Sequence, residues 1–268
     1  MTTTTRREAL GIIGLATGSA LFGAFKSAGQ GRNAPKPDGD GGGAKLAKCP
    51  WPYVKLDPQR CAERSYSGFL KGHCLYGTFQ AIVEEFAEKQ GAEYANFPFD
   101  MLQIGAGGGN GWGTLCGALN GGMMALALFS KTPGPLVDEL FNWYQVTPLP
   151  IFRPKNPRME IKVRSVSDSL LCHLSVTKWC NAAGVKAFSP ERDERCGWLV
   201  ADTTLKTVEL LNAQLDGTFK AAHPMPAATA TCMSCHEKGG VLENSRGKMD
   251  CGLCHFTSAS GQKHPDIQ

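Results

Sequence analysis

The sequence predicts a mostly α-helical fold: a helical domain over residues 48–217 that carries spaced cysteines, then a small loop-rich segment over residues 218–268. Three observations lead there. Small and apolar residues recur at helical spacing in several stretches. The segment Thr147-Pro148-Leu149-Pro150-Ile151-Phe152-Arg153-Pro154 is punctuated by prolines, as a crossing between helices would be. From Thr218 onward large apolar residues are few, so the last 51 residues cannot enclose a core with their own side chains.

Residues 5–11 read Thr-Arg-Arg-Glu-Ala-Leu-Gly, and no charge interrupts the chain between Glu8 and Lys26. The apolar run from Ala9 to Phe25 is too short and too rich in Gly and Ala for a membrane span, so residues 1–28 read as a twin-arginine export signal and the expected location is the periplasm. An uncleaved leader is the one membrane attachment foreseen. Residues 29–47 are rich in Gly, Pro and Lys without apolar periodicity, which predicts a flexible linker.

Residues 72–89 place Cys74, Thr78, Ile82 and Phe86 along one helical face. The glycine run from Gly105 to Gly113 follows. It lacks Gly-Lys-Ser/Thr, and Asn110 interrupts a dinucleotide-type Gly-x-Gly-x-x-Gly pattern, so nucleotide binding is excluded. Close backbone approach to a neighbouring group, with N–H groups aimed at sulfur, is the use expected of it, together with tight helix packing through Gly117, Ala118, Gly121 and Gly122. A helix near Thr114–Ser130 carries Cys116 in its first turn, in the positive field of the helix start. Ser165–Cys180 forms a further block with Cys172 and Cys180, and Arg195-Cys196 opens a helix to about Leu215.

The formal charge of +4 falls to about +2 once residues 1–28, with Arg6, Arg7, Lys26 and Glu8, are set aside. No Lys/Arg cluster with interleaved aromatics is present, which excludes nucleic acid as a partner. No nucleophile–base pairing stands out. The five tryptophans, Trp51, Trp112, Trp143, Trp179 and Trp198, read as core or cofactor-adjacent packing.

The chemistry is concentrated in cysteine. Cys232-Met233-Ser234-Cys235-His236 and Cys251-Gly252-Leu253-Cys254-His255 are two copies of Cys-x-x-Cys-His, the attachment signature of haem c, in which the thiols bond the porphyrin vinyl groups and the adjacent His binds iron. An all-cysteine zinc site would use the same four thiols without needing His236 or His255. The expected cofactors are therefore two haems c per chain, with His236 and His255 proximal. His223 and His264 flank the segment in polar stretches and are the candidate distal ligands; a short tether favours ligation across a dimer. Met225 and Met233 are the alternative distal ligands, and His73 and His173 read as core or cluster-flanking histidines.

Seven cysteines remain, an odd number for an exported protein. Cys74, Cys116, Cys172 and Cys196 on packed helices suit a [2Fe-2S] or [4Fe-4S] cluster, with Cys180 able to replace Cys172. Cys49 and Cys61 could form a disulfide.

Cys74, the motif Cys116-Gly117-Ala118-Leu119-Asn120-Gly121, Cys172 and Cys196 are similar to the CGAxxG redox-active family with four characteristic cysteines, over roughly residues 68–215. With the twin-arginine leader and the two haem motifs, the whole chain resembles the split-Soret cytochromes c. That resemblance implies a homodimer holding four haems in close pairs, bis-histidine ligation, and a [2Fe-2S] cluster on the family cysteines. The expected function is electron transfer between cluster and haems, serving periplasmic redox partners. The alternative is a periplasmic reductase acting on a small oxidised substrate at an open-site haem or at the cluster.

Overall fold

The computed structural model describes residues 48–253, and all of them fall in the contact-defined unit Ala44–Gln268. The leader and linker, Cys254, His255 and His264 lie outside the described residues. Six α-helices carry the described residues: α1 (Pro58–Gln90), α2 (Gly117–Phe129), α3 (Gly134–Val146), α4 (Cys172–Ala183), α5 (Pro190–Leu215) and α6 (Ala227–His236). Among the described residues the only β pairing is two isolated bridges, so the mostly-α expectation holds. No described helix is long and apolar enough to cross a membrane.

Helix α1 starts where Asp57 accepts the N–H groups of Gln59 and Arg60 at 2.9 and 3.2 Å and Pro58 occupies the first turn. It is a hairpin rather than a rod. Gly72 and His73 leave helical geometry, and Arg60 and Arg64 in the first half reach Glu84, Glu85 and Glu88 in the second. The two halves touch at Gly68 and Gly77: a Cβ on Gly77 would lie 2.7 Å from Phe69 N and Ser65 O. The predicted helix over 72–89 is thus the returning half, and the reversal at His73 places Cys74 at its start.

Helix α2 begins at Gly117, later than the predicted Thr114, because Cys116 is extended and acts as the N-cap. Its glycines wedge it between neighbours: a Cβ on Gly121 would meet Thr78 Cβ at 2.7 Å, and one on Gly122 would meet Thr207 Oγ1 at 2.7 Å. The helix bearing Cys196 starts five residues earlier than expected, at Pro190, where Ser189 Oγ accepts Arg192 N–H. The helical part ends at Leu215, and Gly217, at φ 68°, turns the chain toward residues 218–253.

The core lies between α1, α2 and α5, filled by Phe69, Phe79, Ile82, Phe86, Leu119, Leu126, Leu199 and Val208. In contrast, residues 218–253 contribute only Met233 to the buried apolar set. This part is less loop-rich than expected, since the first Cys-x-x-Cys-His motif lies on α6 and the second begins in a 3-10 turn at Cys251–Leu253.

Candidate functional site

Two backbone ties bring the first pair of thiols together. Cys116 N–H donates to Leu170 O at 2.9 Å and Cys172 N–H donates to Thr114 O at 2.7 Å, which staples the entry of α2 to the entry of α4. Cys74 arrives from the α1 reversal, where a Cβ on Gly117 would sit 2.8 Å from Cys74 Cβ. Cys196 comes from the second turn of α5. Three of the four thiols therefore stand at helix starts, where unpaired N–H groups and the helix dipole favour negative charge.

All six pairs among Cys74, Cys116, Cys172 and Cys196 interact electrostatically, and each thiolate opposes ionisation of its neighbours. Burial raises Cys74 well above the usual thiol range and raises Cys116; it pushes Cys172 up to about 12, with the charges of Cys116 and Cys196 adding to it. Cys116 does receive the backbone N–H groups of Ala118 and Leu119, as a helix start should provide, but desolvation outweighs them. Cys180 is buried a little further along α4 and senses Cys196, Arg192 and Arg195.

Arg195 is the residue that sequence alone did not mark. It is 1% exposed, its Nη2 donates to Ser175 Oγ at 3.1 Å, and its Nε and Nη1 have no hydrogen-bond acceptor in the protein. The charges it feels first are Cys196, Tyr144 and Cys116. Tyr144, also buried, donates to the same Ser175 Oγ at 2.9 Å and lies against Cys116. The Cys196 side chain and the charge of Asp202 act on this guanidinium, but two of its donors still meet no oxygen acceptor, and an anion held by the thiols would complete them.

Among the described residues no group of three or more His, Cys, Asp or Glu side chains could hold a single metal ion. A cluster with inorganic sulfide sets its thiolates further apart than a lone ion does, and it is anionic with four of them. The residues fit such a group: four mutually facing thiols, three helix starts, and an unsatisfied buried arginine.

The glycine run differs from expectation in one respect. Gly107, Gly108, Gly109, Asn110, Gly111 and Gly113 all have positive φ, and the N–H groups of Asn110, Gly111, Trp112, Gly113 and Thr114 bond carbonyls within residues 104–109 rather than sulfur. Close approach is what the glycines provide, since a Cβ on Gly108 would lie 2.7 Å from Cys172 Cβ. Trp112 at the tip is 83% exposed, not packed. His73 and His173 are exposed beside their cysteines rather than buried in the core. Cys49 is exposed, Cys61 is fully buried, and both are free, so the suggested disulfide does not form.

On α6, Cys232, Cys235 and His236 fall at i, i+3 and i+4, which puts both thiols and the imidazole on one face. His236 Nδ1 is 2.6 Å from Asn244 Oδ1. Cys251 is raised by burial, by charge on Cys232 and by a hydrogen bond with it, so the leading thiols of the two motifs are neighbours. His223 sits against the helical part: its Nδ1 is 2.6 Å from Glu139 Oε1, and Asn142 Nδ2 donates to its carbonyl at 3.0 Å.

Four buried or half-buried thiols, three of them at helix starts, in a chain that also carries paired haem-attachment motifs, define a multi-cysteine redox protein. The chain belongs to the family described as "Putative redox-active protein (C_GCAxxG_C_C)", whose model matches residues 76–210, a span that contains Cys116, Cys172, Cys180 and Cys196 and begins two residues after Cys74. It is similar to split-Soret cytochrome c of Desulfovibrio desulfuricans, with 42% identity over 96% of each chain. A solved structure, "A novel iron centre in the split-Soret cytochrome c from Desulfovibrio desulfuricans ATCC 27774", superposes with a TM-score of 0.73 at 43% identity, covering 80% of this chain and 93% of that one. Within the motif a side chain does not fit at 117, because its Cβ would meet Gly105 O at 2.6 Å.

Proposed function

We infer that this chain is a periplasmic electron-transfer protein carrying two haems c and one [2Fe-2S] cluster, and that it works as a homodimer exported by the twin-arginine route. The observation that carries the reading is the four-thiol site around Arg195, in which thiols that oppose one another's ionisation stand beside a buried guanidinium, an arrangement suited to an anionic iron-thiolate group. The haem part is supported by α6, which presents Cys232, Cys235 and His236 on one face, and by the relative's being a cytochrome c. An iron centre in the solved relative supports the metal at the thiols.

When bound, haem and cluster supply one-electron exchange. The chain's own contribution is positional. Cys74, Cys116, Cys172 and Cys196 hold iron, and Cys180, which senses Cys196, is the reserve thiol. Arg195 balances charge. Cys232, Cys235, Cys251 and Cys254 hold the porphyrins, whose leading thiols at Cys232 and Cys251 adjoin and so favour a close haem pair. His236, His255, His223 and His264 would be the residues that supply nitrogen to the haem irons, within one protomer or across the dimer.

Metal analysis of the purified protein tests this. More than two irons per chain with acid-labile sulfide is the expected result; two irons without sulfide would remove the cluster.

A further inference from the structure

Glu139 lies on α3, 1% exposed at its side chain. Four donors converge on it. Ala222 N–H and His223 N–H donate to Oε2 at 2.8 and 2.9 Å, His223 Nδ1 lies 2.6 Å from Oε1, and Lys206 Nζ on α5 lies 3.4 Å from the same oxygen. An ionised carboxylate only accepts, so the imidazole proton is on Nδ1 and the lone pair is on Nε2, on the far side of the ring.

We propose that Glu139 is the positioning residue for one haem: it fixes His223 in the Nε2-donor tautomer, anchors it to the helical part, and makes the imidazole electron-rich enough to lower that haem's reduction potential. The proposal rests on His223 being a haem ligand. Its physical basis is general, because a carboxylate on the non-ligating nitrogen raises the basicity of a metal-bound imidazole and fixes its plane. The effect is graded by the net charge around the ring. Lys206 offsets part of the Glu139 charge, so the two residues move the potential in opposite directions.

The experiment is a redox titration of full-length, haem-loaded protein, followed by absorption and by electron paramagnetic resonance of the ferric state, for Glu139→Gln, Glu139→Asp, Lys206→Met and His223→Ala. Glu139→Gln raises the potential of one haem and moves its low-spin ferric g values toward those of a neutral imidazole ligand, while the other haem stays put. Glu139→Asp falls between. Lys206→Met lowers the potential of the same haem, which a purely structural role for Glu139 does not predict, and it carries the test by itself if Glu139→Gln fails to load haem. Unchanged potentials in both charge variants, or shifts of the same sign, overturn the proposal. His223→Ala separates this from failure of the ligand assignment: conversion of one haem to high spin upholds His223, and an unaltered low-spin spectrum removes His223 and the proposal together.

Discussion

At the scale of single residues, Arg195 and Asp202 carry charge-driven predictions of different kinds. Arg195 has two donor groups unsatisfied in the protein, so its cost depends on what the thiols hold. In iron-free protein Arg195→Met should leave the unfolding midpoint unchanged or raise it; in iron-loaded protein it should speed loss of iron to a chelator several-fold. A destabilised apo form would refute the unsatisfied-donor account. Asp202 accepts Phe152 N–H and Ile151 N–H at 2.8 Å each, yet burial dominates and raises its carboxyl to about 7. A folded-state value above the unfolded one favours the protonated form, so its stabilising contribution is complete below about pH 4 and is lost as pH rises toward and through 7. Urea titrations at pH 5 and pH 8 should show Asp202→Asn flattening this slope, by no more than about 4 kcal/mol.

At the scale of elements, the site is a product of how helices begin. The α1 reversal at His73, the Cys116 cap of α2 and the first residue of α4 bring three thiols to one place, and His73 adopts φ 65°, a strained conformation for a residue with a Cβ. Close approach there depends on glycine. Gly117→Ala would force Gly105 O or the Cys74 side chain to move, at about 1–3 kcal/mol, and should lower both the denaturant midpoint and the iron retained per chain. The returning half of α1, α2 and the later part of α5 were legible from periodicity, whereas α3, the first half of α1 and α6 were not, and α5 buries every residue from Glu194 to Thr204 rather than one face. The helix starts were not legible either. Whether Cys116 lies in the first turn or just before it is settled by the bridge between Leu115 and Leu171, a contact that no local pattern encodes.

At the scale of the molecule, the helical part and the segment after Gly217 differ in what holds them. Core burial of Phe86, Leu126 and Leu199 sustains the first; the second is tied on by Glu139, by Asn142 to His223 O and by Lys248 to Asp138, with little apolar burial of its own. Haem loading should therefore stabilise the 218–253 region far more than the α1/α2/α5 core. Hydrogen exchange of apo and holo protein checks this: amides of α6 should gain protection on loading, while those of α5 change little.

The sequence by itself determined the chemistry: Cys-x-x-Cys-His twice, four family cysteines, and a mostly helical chain to carry them, because covalent attachment and amphipathic periodicity are local properties written in residue order. Tertiary structure decided which thiols come together and which polar groups surround them. Arg195, Tyr144 and Ser175 converge on the thiols from three different helices, and Glu139 meets His223 across 84 residues of chain. Long-range partners of that kind are selected by burial and charge balance in the folded core, and neither has a signature in the spacing of residues along the chain.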